Sequence, residues 1–378
     1  MFRATFWAFR RSSAGCVAPD RRPERQEALR AALRVGGLDG LLITHLPNIR
    51  YLTGFSGSAA LLLVTGQAVT LISDFRYAAQ AQTEVGSAAA VEIDQRSVWE
   101  RLARILASRT INTVGVESHA LTVHDAERVS SLTKARVVPT SDMVEVLRAA
   151  KSPEEVAAIR TAAVLAQEAL AEVLPDIRVG QTEIEIGAAL EGALRRRGSE
   201  WHPFPTIVAS GPRSALPHAR TSGRVVSAGE LLLLDFGAQV DGYCADLTRT
   251  FVVGARADDR QRTVHGLVQS AQRRAIEHLR PGMPAREGDA LARDVIASRG
   301  FGEAFGHSLG HGLGLEVHEA PRLAPTSETP LPVHAVVTVE PGIYFPGWGG
   351  IRLEDDVYLG PEGTECLSDG KTELLELV

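Results

Sequence analysis

The segment Leu231–Phe251 constrains this chain more than any other stretch, because it dictates a strand, a turn and a returning strand with chemistry at fixed positions. It reads LLLLDFGAQVDGYCADLTRTF. Four consecutive leucines predict a buried strand that delivers Asp235. Asp241-Gly242 suits a two-residue hairpin loop, since both residues tolerate positive φ. Such a loop pairs Val240 with Tyr243, sets Gly237 opposite Asp246 and sets Asp235 opposite Thr248. Side chains alternate along a strand, so Asp235, Asp246 and Thr248 face the same way, with the two carboxylates as diagonal neighbours. Two carboxylates so placed can share a pair of metal ions, and Thr248 can orient one of them. On a solvent-facing hairpin the same residues would be plain surface acids. The leucine run argues for burial instead.

Three later segments add to this pair. Val336–Val339 is a β-branched run that delivers Glu340, and Pro341-Gly342 ends it. Ile351–Tyr358 predicts one continuous strand, with Arg352 and Glu354 on one face and Asp355 on the other. An arginine beside a ligating carboxylate holds it ionised. The block GHSLGHGLG (306–314) precedes Glu316-Val317-His318-Glu319. It is not the zincin HExxH pattern, because Ser308 follows the first histidine and no glutamate lies between the two. Its glycines let the backbone approach a ligand closely. His307, His311 and His318 suit one metal ligand plus two hydrogen-bond donors to an oxyanion or substrate carbonyl. Together Asp235, Asp246, His311, Glu340 and Glu354 form an oxygen-rich set that fits Mn²⁺, Co²⁺ or Zn²⁺. A pair of such ions holds a water as hydroxide and polarises a carbonyl, which points to a hydrolase. His218, in LPHARTS, stands in a polar loop where local chemistry gives no reason to single it out.

The rest of the chain sets the frame. Its 378 residues allow two domains, and a net charge of -6 with scattered arginines gives no reason to expect a nucleic-acid partner. No apolar run is long enough to span a membrane, so none is expected as a partner. Cys16, Cys244 and Cys366 are few, odd in number and widely spaced, which favours a reducing cytoplasm over a disulfide framework. Residues 1–22 are basic and read as a disordered tail; Arg3, Arg10 and Arg11 interrupt any apolar stretch a secretion signal needs.

From residue 23 to residue 141, helices at Glu24–Val35, Ser97–Ser108 and Val123–Leu132 alternate with strands at Gly40–Thr44, Ala59–Val64, Ala68–Ser73 and Thr113–Val116. That alternation predicts an α/β domain with a mixed or mainly parallel sheet. It carries no phosphate loop and no acid/histidine cluster, and reads as a scaffold or lid. A second domain, 142–378, opens on a capped helix from Ser152, with Glu155 completing the capping box, running to about Leu174. Thr182 with Glu185 starts the next helix, which ends near Arg195–Gly198. Val179–Gly198 aligns without gaps with Pro281–Gly300, so the second domain is expected to be built from two related halves with its site between them.

These motifs, LLLLDFGAQVDGYCADLTRTF, GHSLGHGLGLEVHEAPRL, VTVEPGIY and IRLEDDVYL, resemble the pita-bread metallopeptidases, which include methionine aminopeptidase, aminopeptidase P and prolidase. The likeness extends over Pro205–His218 and, in the first domain, over PNIRYLTGFSGS and DFRYAAQAQ, a domain of the creatinase/prolidase type. It implies an α/β N-terminal domain followed by an α+β pita-bread domain with pseudo-two-fold symmetry. It implies two divalent metal ions, manganese first with cobalt or zinc as alternatives, bridged by Asp246 and Glu354. Asp235 would hold one ion, and His311 and Glu340 the other. Glu340 would serve as general base, His218 and His318 would contact the substrate, and His307 and Arg352 would support the site. The scissile bond would be an Xaa-Pro imide, poorly handled by general peptidases because proline lacks an N–H and restricts the backbone. An Xaa-Pro dipeptidase is expected, with Arg322 a candidate for the substrate's terminal carboxylate. An Xaa-Pro aminopeptidase acting on longer peptides is the alternative. A creatinase-like or non-catalytic member would have lost ligands, and none is lost here. The resemblance also implies a homodimer. One departure is His334, just before the strand to Glu340, where a smaller residue is expected.

Overall fold

The structure is a computed structural model, and it describes residues 19–368 and 372–378. The N-terminal part is a six-stranded sheet in the order Ala90–Asp94, Val69–Asp74, Ala60–Thr65, Gly40–Ile43, Thr113–Glu117, Arg136–Thr140. Gly40–Ile43 pairs antiparallel with Ala60–Thr65 and parallel with Thr113–Glu117, so the sheet is mixed. Its central strands are apolar on both faces because both are covered. Leu41, Ile43, Leu62 and Val64 pack under the helices Arg22–Val35 and Leu46–Thr53. Leu42, Leu61 and Leu63 point the other way, against Leu102, Leu106 and Val129 of the helices Val98–Ala107 and Val123–Leu132.

The first helix begins at Arg22, ahead of the expected Glu24. Arg22 Nη1 donates to the carbonyl oxygens of Thr53, Glu84 and Val85, which ties the last residue of the expected tail into the fold. Arg21 of the same tail pairs with Glu24, and the disorder expected over residues 1–18 lies outside the described residues. At the other end, Val144 is buried in the first core with Met143 and Leu147 packed on it. The short helix Glu145–Ala149 therefore packs with the N-terminal sheet, although it lies beyond residue 141.

Among the described residues, the second part holds two larger sheets, two two-stranded ribbons (Gln239–Val240 with Tyr243–Cys244, and Gly342–Phe345 with Gly349–Arg352) and two helix pairs. The helices Pro153–Val173 and Glu183–Arg196 cover a four-stranded sheet of Glu376–Leu377, Leu247–Val253, Glu230–Phe236 and Ile207–Ser210. The helices Asp259–His278 and Ala285–Ala297 cover a five-stranded sheet built on Gly310–Gly312, Val336–Val339 and Asp355–Gly360. Both expected capping boxes form, at Ser152/Glu155 and Thr182/Glu185.

The two halves repeat in detail. Gly180 (φ 94°) donates its N–H to Val226, and Thr182 bridges Val225. In the aligned segment Gly282 (φ 81°) donates to Leu331, and Pro284 bridges Pro330. In each half a left-handed glycine lets the chain turn into the helix and tie to a later loop. The halves join where Glu354 forms a single bridge with Thr248. That seam is where the acidic residues collect. Among the described residues, no helix is long and apolar enough to cross a membrane.

Candidate metal centre

The hairpin forms in the register the sequence dictates. Val240 pairs with Tyr243, and Thr248 stands opposite Asp235. Asp241 and Gly242 carry φ of 51° and 79° at the turn. Asp235 and Asp246 are buried at 8% and 5% exposure, which excludes a solvent-facing hairpin. The expected strand Ile351–Tyr358 is not continuous. It is split into Gly349–Arg352 and Asp355–Gly360, because Glu354 leaves its neighbours to meet Thr248 in the other sheet. The predicted facing survives the break. Arg352 and Glu354 turn into the site, whereas Asp355 accepts from Arg249 and Gln272 on the far side.

Asp246, His311 and Glu354 each offer a donor atom within 4.8 Å of the others. His311 Nε2 lies 3.8 Å from Asp246 Oδ2 and 3.4 Å from Glu340 Oε1. The other ring nitrogen, Nδ1, lies 3.1 Å from the Gly312 carbonyl. A proton on Nδ1 satisfies that carbonyl and leaves Nε2 with a lone pair facing the carboxylates. Burial holds His311 down to about 4, with His318 adding to the effect, so the ring is neutral. Thr248 Oγ1 donates to Glu354 Oε2 at 2.6 Å, and Thr338 Oγ1 donates to Glu340 Oε1 at 3.2 Å. Asp356 accepts from the Asp246 N–H, fixing the chain where that carboxylate projects.

The electrostatics call for cations. Burial first, then Glu354, Asp235 and Glu340, push the Asp246 carboxyl well above the usual range. Burial, Glu340 and Asp235 do the same to Glu354. Burial raises Glu340 to about 7. Burial also raises Asp235, although Arg352 opposes it. Carboxylates crowded like this are ionised only if positive charge sits among them. Arg352 donates to Asp235 Oδ2, while Asp235 Oδ1 is buried with no hydrogen-bond partner among the described residues. The orphaned oxygen, the free His311 nitrogen and the oxygen-rich donor set fit divalent metal ions.

The other residues singled out in the sequence surround this cluster in a cleft of about 1100 Å³. The His318 ring stands edge-on to His311 at 4.3 Å between centroids. His218 and Arg322 line the cleft from its exposed rim. His307 stands back from the ligands. Its Nε2 meets the Tyr344 hydroxyl at 3.0 Å, and Arg352 Nη1 donates to the same hydroxyl at 2.9 Å. His334 does not reach the site; it sits at φ 68° with its Nδ1 against the Tyr358 hydroxyl.

Sequence reasoning missed several supports. Tyr344 links His307 to Arg352, and its only signal was its place just after Glu340-Pro341-Gly342. Arg293 donates to the carbonyls of Phe305 and His307, and Asp289 accepts from the Leu309 N–H, so one helix positions the histidine loop. Arg148 and Lys151 clamp Glu319, next to His318. The N-terminal sheet, expected to carry no acid/histidine cluster, does carry one: His45, His119 and Glu145 offer donor atoms within 4.8 Å of one another. These residues are far apart in sequence, and only the fold joins them.

Two family models match the chain. Metallopeptidase family M24 matches residues 157–361, and the creatinase/prolidase N-terminal domain matches residues 25–150. Among curated proteins, an uncharacterized peptidase of Bacillus subtilis is 41% identical over 93% of this chain and 99% of its own length. An Xaa-Pro dipeptidase of Pyrococcus horikoshii is 34% identical over 89% of this chain and 95% of its own. Among solved structures, an Xaa-Pro dipeptidase from Bacillus anthracis superposes with a TM-score of 0.91 at 39% identity, covering 94% of this chain and 99% of that one. An X-Pro aminopeptidase from Thermotoga maritima gives 0.87 at 36% identity, covering 93% and 99%.

Proposed function

The chain belongs to metallopeptidase family M24, and on that premise we propose that it hydrolyses the imide bond of Xaa-Pro dipeptides. Release of the residue before proline from longer peptides is the second reading, favoured by the likeness to an X-Pro aminopeptidase structure. The observation that carries the proposal is the meeting of five buried or half-buried donors, Asp235, Asp246, His311, Glu340 and Glu354, in the cleft that His218, His318 and Arg322 also line. Asp246 and Glu354 would bridge two divalent ions, Asp235 would hold one, and His311 and Glu340 the other. Manganese is the first choice, with cobalt or zinc as alternatives, since all three suit this donor set. When bound, the ions supply Lewis acidity that acidifies the attacking water and polarises the scissile carbonyl.

The chain's own groups do the rest. Glu340, at the floor of the cleft beside His311, is the carboxylate placed to take a proton from the attacking water. The same carboxyl can then hand it to the leaving prolyl nitrogen, which has no proton of its own. Burial and His218 hold His318 below its ordinary value, so it offers a neutral ring N–H to the carbonyl oxygen as negative charge develops there. His218, across the rim, is the second donor to that oxygen. His307, through Tyr344, fixes Arg352, which orients Asp235. Arg322, exposed at the rim, presents a planar fork suited to a terminal carboxylate. A dipeptide has that carboxylate next to its proline and a longer peptide does not. Free Cys244 and Cys366 accord with a cytoplasmic protein, and the reading includes a homodimer.

The test is hydrolysis of Ala-Pro and Ala-Pro-Ala by Mn²⁺-loaded protein. Cleavage of the dipeptide alone supports the dipeptidase. Faster cleavage of the tripeptide replaces it with the aminopeptidase, and cleavage of neither overturns both.

A further inference from the structure

A second cluster of metal-type side chains lies outside the cleft, on the N-terminal sheet. Gly40–Ile43 and Thr113–Glu117 are parallel neighbours, so the loops that leave their carboxyl ends emerge side by side. Loops in that position form the usual ligand-binding edge of an α/β sheet. Here the first loop carries His45 and the second carries His119. The helix Glu145–Ala149 brings Glu145 to the same edge. His119 Nε2 lies 3.2 Å from Glu145 Oε1, and the two imidazoles stand edge to face at 5.1 Å between centroids.

The hydrogen bonds around His45 leave one nitrogen without a partner. His45 Nε2 meets Glu316 Oε1 at 3.1 Å, and a carboxylate there keeps the proton on Nε2. In the neutral ring His45 Nδ1 is then the lone-pair nitrogen, and it is buried with no hydrogen-bond partner among the described residues. A carboxylate holding the far nitrogen of a histidine is the arrangement that orients metal-ligating imidazoles. Glu145 is oriented in turn by Asn48, whose Nδ2 donates to Glu145 Oε1 and to Glu117 Oε1. Arg148 meets Glu316 and Glu319, and Lys151 meets Glu319, whereas Glu145 faces His119 and Asn48.

We propose that His45, His119 and Glu145 form a third metal site, one that takes a zinc-type divalent cation with water completing its shell. Two imidazoles and one carboxylate suit Zn²⁺ better than Mg²⁺ or Ca²⁺, which favour all-oxygen shells. His119 is the accessible ligand, with its side chain 39% exposed, against 20% for His45 and 16% for Glu145, so the ion can reach the site from solvent. The site lies between the domains. Glu316, which orients His45, and Glu319, held by Arg148 and Lys151, flank His318 in the cleft.

The test is equilibrium dialysis of the full-length chain against micromolar Zn²⁺, with zinc counted per chain by atomic spectrometry. Wild type is compared with His119→Ala and Glu145→Gln, each checked for folding by circular dichroism. Each variant should bind one equivalent fewer than wild type. The readout is a difference, so a failure of the cleft to hold metal lowers every total equally and leaves it unchanged. Equal stoichiometry in wild type and the folded variants overturns the proposal. A second measurement needs no variant: zinc should shield His119 of the wild-type chain from diethyl pyrocarbonate, mapped by peptide mass. Modification of His119 undiminished by zinc also overturns it.

Discussion

Arg352 donates through Nη2 to Asp235 Oδ2 at 2.5 Å and through Nε to Thr248 Oγ1 at 3.0 Å, and the Thr248 hydroxyl in turn donates a hydrogen bond to Glu354 Oε2. One buried guanidinium thus orients carboxylates from both halves of the domain, Asp235 directly and Glu354 through Thr248. A lysine keeps the charge but cannot hold three directions at once, since it lacks the planar fork. Arg352→Lys should therefore lower manganese affinity or kcat/KM on Ala-Pro by about 10- to 100-fold, the usual effect of losing a group that orients a ligand. Manganese titration and steady-state kinetics check this. Values matching wild type would make Arg352 a bystander.

Glu340 sits 3.4 Å from His311 Nε2 and is steadied by Thr338 Oγ1. Glutamine preserves its shape and removes its basicity. Glu340→Gln should abolish turnover even in saturating Mn²⁺, because a base and a ligand are lost together. Near-normal activity of the metal-saturated variant would remove Glu340 from the mechanism. Chelation of the wild type should likewise abolish activity, and added Mn²⁺ should restore it. Full activity after metal removal verified by atomic spectrometry would sink the metallohydrolase reading.

His218 is exposed at the rim of the cleft, as His318 is, and lies in a loop outside every helix and strand. His218→Ala should leave the melting temperature unchanged and cut kcat by about 10²-fold or more, as loss of one oxyanion donor does. An unchanged kcat on Ala-Pro would show that the ring takes no part in the reaction.

What the sequence disclosed follows from how local each determinant is. A two-residue turn fixes every pairing behind it, so Asp235, Asp246 and Thr248 could be placed on one face from the sequence alone. The capping boxes at Ser152 and Thr182 are equally local. The break at Glu354 was not legible, because the bridge to Thr248 belongs to another sheet. Nor were the edge strands Ala90–Asp94 and Arg136–Thr140, whose half-exposed side chains blur the apolar pattern. Arg136–Thr140 even contains Pro139, which an edge position tolerates. Leu46–Thr53 was missed because a helix this short leaves little periodic signal. His218 was named by resemblance only, since its role depends on a cleft that no local pattern announces. His45, His119 and Glu145 escaped for a related reason: two parallel strands and a later helix must form before they meet.

His265 supplies a test of stability that is independent of the cleft. It lies on the helix Asp259–His278, only 3% exposed, with Nε2 buried and without a hydrogen-bond partner among the described residues. Burial holds it down to about 4, from an ordinary value of 6.5. The folded state therefore disfavours the imidazolium, and the unfolded chain takes up the proton first as pH falls. Stability from this residue is fully present above about pH 6.5, declines as pH drops, and is gone by about pH 4. At ~1.4 kcal/mol per pH unit, the loss between about pH 7.5 and about pH 5 comes to about 2 kcal/mol. His265→Leu removes the titrating ring and keeps an apolar side chain in the core. Urea unfolding of wild type and variant at both pH values, in chelator so that metal release does not contribute, should show the variant losing about 2 kcal/mol less. If both lose the same amount, His265 is not an acid-sensitive element of this fold.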